Sequence, residues 1–284
     1  MRLTIALAQI DPVLGNVARN IETHLAMCDK AIASGASLVV FPELSLTGYS
    51  IKDMNWDLAI NPSRNSGLLK PLLEKSRQIT ILAGGVEESS SFALFNSAFM
   101  FEEGTVRVVH RKTYPPTYGM FEEMRYFSSG RSVKAFEAKV GKIGVLICED
   151  LWHISLPYLL AKDGALIVIA LVASPTRMSG NETQLQTATI NTENHRAYAR
   201  LLTTYIAFCN RVGYEDGVNF WGGSNIVGPD GELLVQAKLF EEDLITAEVD
   251  ANEVRRARRF SRHFLDEEVD LVLAELSRIR QNRS

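Results

Sequence analysis

Cysteine is scarce in this chain, with three among 284 residues. Cys28, Cys148 and Cys209 are too scattered for a disulfide framework or a zinc cluster, and their scarcity suits a reducing setting. Long hydrophobic runs are missing too. The opening segment, MRLTIALAQIDPVLG, has an apolar core of only a few residues and no small-residue cleavage pattern, unlike a signal peptide. No run approaches the roughly eighteen apolar residues of a membrane span. The expectation is a soluble, cytoplasmic protein that engages no membrane. Charge of one sign is also lacking: 30 basic against 34 acidic residues leave a formal net charge of −4, which argues against a general nucleic-acid binder. The basic run Arg255-Arg256-Ala257-Arg258-Arg259-Phe260-Ser261-Arg262 is local and precedes Asp266-Glu267-Glu268. It reads as a solvated helix face or a dimer contact. No two histidines have metal-helix spacing, so no metal is expected. With no Ser/Gly-rich linker, composition break or internal repeat, residues 1–284 read as one domain with a helical extension over about 250–284.

What is present is a series of strand-length apolar runs, many β-branched and bounded by Gly, Pro or Asp. They are Leu3–Ala8, Leu38–Phe41, Ile79–Ala83, Ser97–Phe101, Thr105–His110, Ile143–Ile147, Ala165–Ala170, Thr204–Cys209, Ser224–Val227 and Leu233–Gln236. Helical periodicity marks Asn16–Ser34, which stops before Gly35, and also Glu182–Leu202 and Asp266–Arg280. Turn signals at Glu102-Glu103-Gly104 and Gly228-Pro229-Asp230-Gly231 predict hairpins. Together these predict an α/β protein in which helices cover sheets containing both crossovers and antiparallel pairs.

Three polar residues stand at the ends of apolar segments. Glu43 follows Leu38-Val39-Val40-Phe41-Pro42, where proline ends strand pairing; it is a surface carboxylate or a desolvated proton carrier. Lys112 lies in His110-Arg111-Lys112 before a proline-rich loop, as part of a solvated face or as an ammonium beside a developing oxyanion. Cys148 ends Gly144-Val145-Leu146-Ile147 and precedes Glu149 and Asp150, neighbours that discourage a thiolate. It is a packing residue or the nucleophile of a strand-to-helix turn, although no G-x-S-x-G motif is present. His110, His153 and His195 each offer a partner for a Cys–His enzyme. Asp150 reads as stabilising the start of the following helix.

FPELSLTGY at Phe41–Tyr49, RKTYPPTYGMFEEMRYFSSG at Arg111–Gly130 and GVLICEDLW at Gly144–Trp152 resemble the nitrilase, or carbon–nitrogen hydrolase, superfamily. Asn210-Arg211-Val212-Gly213 and FWGGSNIVGPDGEL at Phe220–Leu233 extend the resemblance to about residue 250. It implies a four-layer αββα sandwich, assembly into homodimers or larger homo-oligomers, and hydrolysis of a nonpeptide carbon–nitrogen bond without metal or organic cofactor. By motif, the family's general base falls on Glu43, its lysine on Lys112, its second glutamate on Glu123 rather than Glu122, and its nucleophile on Cys148.

Within the superfamily, SLTGYS, TYGMFEEMRYF and ICEDLW resemble the glutaminase domain of glutamine-dependent NAD synthetases. Tyr49 and Tyr118 match tyrosines of that family's substrate pocket, and Glu149 a residue placed to meet the substrate's amino group. Phe121, Trp152 and Ser174 are further candidates for lining the pocket, and Arg177 for meeting a substrate carboxylate. Two features depart from that pattern: the sequence ends at Ser284 without a synthetase domain, and Val172 replaces the asparagine that many relatives carry before Ala-Ser-Pro. The favoured expectation is an amidase that releases ammonia from a small linear amide through a thioester. The alternatives are a glutaminase subunit feeding ammonia to a separate NAD synthetase partner, and a noncatalytic regulatory relative.

Overall fold

The computed structural model describes residues 2–62, 66–176 and 185–282. The first sheet opens with β1 (Arg2–Gln9), β2 (Leu38–Val40), β3 (Thr80–Glu88), β4 (Leu94–Glu102) and β5 (Thr105–Arg111) as neighbours in that order. The pairs β1–β2 and β2–β3 are parallel, whereas β3–β4 and β4–β5 are antiparallel. The chain then forms β6 (Phe136–Ala138), β7 (Gly141–Ile147), β8 (Ile167–Val172), β9 (Tyr205–Asn210), the side hairpin β10 (Val212–Glu215) and β11 (Val218–Trp221), β12 (Asn225–Val227) and β13 (Leu233–Gln236). The second sheet has the order β13-β12-β9-β8-β7-β6. Finally β14 (Asp243–Asp250) returns to the first sheet, antiparallel to β1 from Arg2↔Asp250 to Gln9↔Asp243.

Side-chain alternation along the strands decides the layers. Ile5, Leu7, Leu38 and Val40 of the first sheet share a buried core with Val145, Ile147, Ile169 and Leu171 of the second. The intervening residues face outward. Ala6, Ala8, Val39 and Ile81 pack beneath α1 (Val17–Ala33) and, beyond the short α2 (Asn55–Leu58), α3 (Ser66–Lys75). On the other side, past the short α4 (Glu123–Tyr126), Leu146, Val168, Ala170 and Ile206 pack beneath α5 (Ser155–Lys162) and α6 (Gln186–Leu202). Each buried Leu, Ile or Val contributes about 1.5–3 kcal/mol relative to exposure, so reversing a strand's register would lose several such terms at once. The result is the four-layer αββα sandwich. Helix α5 lies so close to β7 that a Cβ on Gly144 would stand 2.8 Å from the Leu160 side chain.

The apolar runs and both hairpins appear as strands and turns within a few residues of their predicted limits. Asn16 caps α1 by accepting the Arg19 N–H at 3.1 Å, in keeping with its place before the periodic run. Helix α6 begins at Gln186 rather than Glu182; residues 182–184 lie outside the described residues, as does Arg177. The charged C-terminal segment divides into α7 (Ala251–Phe260), α8 (His263–Asp266) and α9 (Val269–Gln281). It breaks at Glu267, whose backbone is extended. The basic run is laced by local ion pairs, Arg256–Glu253 at 3.0 Å and Arg262–Asp266 at 2.8 Å. Among the described residues, no helix is long and apolar enough to cross a membrane and no cluster of three His, Cys, Asp or Glu side chains could hold a metal.

Candidate active site

Glu43, Lys112 and Cys148 each follow a strand of the sandwich, and the two sheets bring those strand ends together. Glu43 leaves β2 through Pro42. Its turn is pressed against β3 so tightly that a Cβ on Gly84 would lie 2.4 Å from the Leu44 nitrogen and 2.7 Å from the Pro42 oxygen. Only glycine admits that approach. From behind, α1 supports the same turn: the buried His24 ring stacks on Phe41 at 4.0 Å and its Nε2 meets Ser45 Oγ at 2.9 Å. Burial lowers the His24 pKa to about 4.

Lys112 is 1% exposed, and its Nζ donates to Glu43 Oε1 and to Glu123 Oε1, both at 2.7 Å. Burial alone lowers the ammonium's pKa, but the charges of Glu123 and Glu43 outweigh it and hold Lys112 well above its usual range. Glu123 opens α4 and is buried, whereas Glu122 beside it is exposed. Burial raises the Glu123 carboxyl, Lys112 pulls it back, and Glu43 pushes it up again. Tyr49 donates its hydroxyl to Glu123 Oε1 at 2.6 Å. Two carboxylates, one ammonium and one phenol thus form a single buried cluster.

Two members of this cluster escaped the sequence reading. Asn96 Nδ2 donates to Glu43 Oε1 at 2.7 Å and to Glu123 Oε2 at 3.3 Å. The Ala173 N–H, just past β8, donates to Glu43 Oε2 at 2.9 Å. Asn96 sits inside the apolar strand Leu94-Phe95-Asn96-Ser97-Ala98, and a buried amide there was the available signal. A backbone donor leaves no such trace.

Cys148 occupies a left-handed backbone conformation (φ 45°) at the turn from β7 into a 3-10 turn, Cys148–Trp152. A non-glycine residue held there is strained, a feature that gathers at functional turns. Burial lifts its thiol well above the ordinary range, and Glu43 lifts it further. Lys112 and a hydrogen bond with the Ala173 N–H act in the opposite direction. The thiol therefore rests protonated. Asp150 caps the start of the 3-10 turn, as expected, and is a clasp as well. It is fully buried and accepts the Thr113 N–H at 3.1 Å, the Tyr114 N–H at 2.9 Å and the Ile147 N–H at 3.2 Å. It therefore ties the segment after Lys112 to the strand end before Cys148.

The substrate candidates fall on two sides of this centre. Tyr49, Phe121 and Glu123 border a recess shared with Ile51, Tyr126 and Asp216. The Phe121 ring stands edge-on to Tyr49 and to Tyr118, at centroid distances of 6.5 and 5.6 Å. Tyr118 donates to Glu149 Oε2 at 2.7 Å on the exposed rim, where His153 Nε2 is 3.8 Å from Glu149 Oε1. Trp152 (50% exposed) and Ser174 line a second cleft with Cys148. Ser174 Oγ accepts the Trp221 indole N–H at 3.0 Å. Val172, on the helix-facing side of β8, lines the same cleft.

The words NRVG and FWGGSN prove to be scaffolding. Asn210 Oδ1 accepts the Ser174 N–H at 2.8 Å, which fixes the Ala173–Ser174 segment. The fully buried Arg211 lies over Phe220 at 4.3 Å and pairs with Glu215, which also accepts the Tyr49 N–H at 2.8 Å. Of the three histidines, His110 Nε2 is 3.9 Å from Asp150 Oδ2, His153 stacks on Tyr114 at 3.6 Å, and His195 Nδ1 meets Asn225 Oδ1 at 3.1 Å. The carboxylate with the strongest electrostatic influence on Cys148 is instead Glu43.

The two stacked sheets thus carry an acid–lysine–acid cluster and a strained cysteine at neighbouring strand ends of an αββα sandwich. The chain belongs to the carbon–nitrogen hydrolase family, whose model matches residues 4–259. A glutamine-dependent NAD(+) synthetase of Acinetobacter baylyi is 34% identical over 253 residues, covering 88% of this chain and 45% of that one. The solved glutamine-dependent NAD+ synthetase of Acinetobacter baumannii superposes with a TM-score of 0.80 at 32% identity, over 89% of this chain and 47% of that one. A carbon–nitrogen hydrolase structure from Helicobacter pylori shares the fold with a TM-score of 0.86 at 24% identity, over 97% and 99% of the two chains. This chain thus spans less than half the length of the NAD synthetases it matches.

Proposed function

We propose that this protein is a cysteine-dependent amidase that releases ammonia from a small linear amide through a thioester. The observation that carries this reading is the Glu43–Lys112–Glu123 cluster, closed at 2.7 Å on both sides and electrostatically coupled to Cys148. Because the thiol rests protonated, attack requires a base in contact with the site, and Glu43 fills that role. Sulfur bonds to the amide carbon as the S–H proton passes to Glu43. The oxyanion is held by the Lys112 ammonium and by the Glu149 N–H at the start of the 3-10 turn. Glu43 returns its proton to the nitrogen, the C–N bond breaks, and ammonia leaves a thioester on Cys148. Water then adds to the thioester as Glu43 accepts its proton. Collapse of the second tetrahedral adduct breaks the C–S bond and releases the carboxylic acid, while Glu43 returns its proton to the departing sulfur and restores the thiol. Glu123 holds Lys112 in place throughout.

The likeness to glutamine-dependent NAD synthetases favours one particular amide, glutamine, with Tyr118 and Glu149 at the rim facing a substrate ammonium. In that reading the released ammonia passes to a synthetase. An ammonia-release screen of glutamine, ω-amides, N-carbamoyl amines and aliphatic amides separates the readings. Intact-mass detection of an acyl adduct that disappears in Cys148→Ala is expected. Undiminished turnover by purified Cys148→Ala would refute the nucleophile assignment.

A further inference from the structure

The donors around Glu43 are unevenly shared between its two oxygens. Oε1 accepts from Lys112 Nζ and from Asn96 Nδ2, both at 2.7 Å, whereas Oε2 accepts only the Ala173 N–H, at 2.9 Å. Each carboxylate oxygen offers about two lone-pair sites, so Oε1 is filled and Oε2 keeps one site open. The Ala173 N–H also serves the Cys148 thiol, which puts Oε2 on the thiol's side of the carboxylate. Lys112 by itself would leave a second site open on Oε1. Asn96 closes it. This residue is 1% exposed on β4, its carbonyl accepts the Lys112 backbone N–H at 2.9 Å, and its Nδ2 also reaches Glu123 Oε2 at 3.3 Å. One side chain and its own peptide group therefore touch three members of the cluster. Set between two carboxylates, the amide must present its NH₂ to them. Its Oδ1 is then turned away, and among the described residues that buried oxygen has no hydrogen-bond partner. Such an oxygen costs stability, a cost that an apolar residue filling the same strand position would not incur.

We propose that Asn96 is a positioning residue that closes Glu43 Oε1 and so directs the Cys148 proton to Oε2. This rests on the base role given to Glu43 above and deepens it, by naming the oxygen that takes the proton and the residue that selects it. Asn96 touches neither sulfur nor substrate; it acts through the carboxylate. Without it, Oε1 has an open site and the carboxylate loses one of the two donors that fix its plane on that side. The accepting oxygen is then no longer held toward sulfur, and transfer from the thiol slows even though Glu43, Lys112 and Cys148 are all present.

Alkylation of Cys148 by iodoacetamide isolates that transfer without requiring a substrate: sulfur displaces iodide from carbon as the S–H proton passes to Glu43. The adduct is located on Cys148 by peptide mass, and its rate is followed from pH 6 to pH 8. In the unaltered protein the rate should stay nearly level, because a neighbouring carboxylate takes the proton. Asn96→Leu, of similar shape but without a donor, should lower the rate at pH 7 by roughly tenfold to a hundredfold. It should also make the rate climb about tenfold per pH unit, as for a thiol that waits for solvent base. Asn96→Gln, which retains an amide NH₂, should recover part of the loss. Urea unfolding of the same samples separates positioning from packing. A less stable Asn96→Leu whose alkylation profile matches a level parent would overturn the role of Asn96 and leave Glu43 as the base. A parent rate that itself climbs tenfold per pH unit would overturn the base role and this proposal with it. The unaltered protein supplies a measurement that needs no variant: both Asn96 side-chain amide protons should resist exchange with deuterium oxide, and rapid exchange of either would overturn the proposal.

Discussion

Replacing Lys112 by methionine keeps the length of the side chain and removes its charge, which isolates the electrostatic part of the cluster. In the unchanged protein Lys112 is 1% exposed and bonded to two carboxylates that are themselves buried. Without it, Glu43 and Glu123 share the Asn96 amide with no cation between them. Breaking a buried ion pair from one side costs about 3–5 kcal/mol. The protein can escape that cost only by protonating a carboxyl. Glu123 is the candidate, because burial already raises it and the removed ammonium is what holds it down. Each unit by which its folded-state pKa exceeds an unfolded value near 4.3 costs about 1.4 kcal/mol once both states are ionised. Losing the ammonium therefore raises the Glu123 carboxyl further, and the full loss appears only where that carboxyl is ionised in both states.

The sign follows from linkage. A carboxyl with a raised folded-state pKa carries no penalty below its unfolded pKa, and loses stability as pH rises toward the folded value. Relative to the unchanged protein, Lys112→Met should thus be destabilised by about 1 kcal/mol at pH 5 and by about 3–5 kcal/mol at pH 8. Urea unfolding followed by fluorescence at both pH values measures the difference. A loss that is equal at pH 5 and pH 8, or no loss at pH 8, would refute the claim that Lys112 compensates the two glutamates.

Asp150→Asn keeps the oxygen that serves Thr113 and Tyr114 but turns an amide NH₂ toward the Ile147 N–H; one stranded donor should cost about 1–3 kcal/mol in denaturant unfolding, and a variant as stable as the parent would show that Asp150 does not clasp the two segments. His24 is buried with its pKa lowered to about 4, against an ordinary value of 6.5. A base of that kind stabilises fully above its unfolded pKa and loses the contribution as pH falls, so stability should drop by about 2 kcal/mol from pH 8 to pH 5 on this account alone. The His24→Gln variant should show a flatter pH profile, and an unaltered slope would contradict it.

Much of the fold was legible because its strands alternate apolar residues over short, punctuated stretches. The less apolar β14, Asp243-Leu244-Ile245-Thr246-Ala247-Glu248-Val249-Asp250, went unread because it belongs to a sheet edge, where polar positions are tolerated. The hairpin of β10 and β11 was hidden for a different reason. Its words are dominated by the buried Arg211–Glu215 pair and by glycines rather than by hydrophobic alternation.

The sequence by itself determined the family words, the candidate residues Glu43, Lys112, Glu123 and Cys148, and the alternating strands and helices of an α/β protein; the αββα sandwich followed from the family resemblance. Residue type and order suffice for those, since periodicity and motif are properties of the chain. Only the tertiary structure decided that one ammonium sits between two carboxylates, that Asn96 and the Ala173 N–H complete their hydrogen bonding, and that Asp150 joins two loops. It alone also separated His195, with an unmatched nitrogen at a cleft, from His24, whose ring is satisfied on both sides. Those distinctions depend on burial and on which donor meets which acceptor across tens of residues of sequence, and a chain acquires both only when its sheets are stacked.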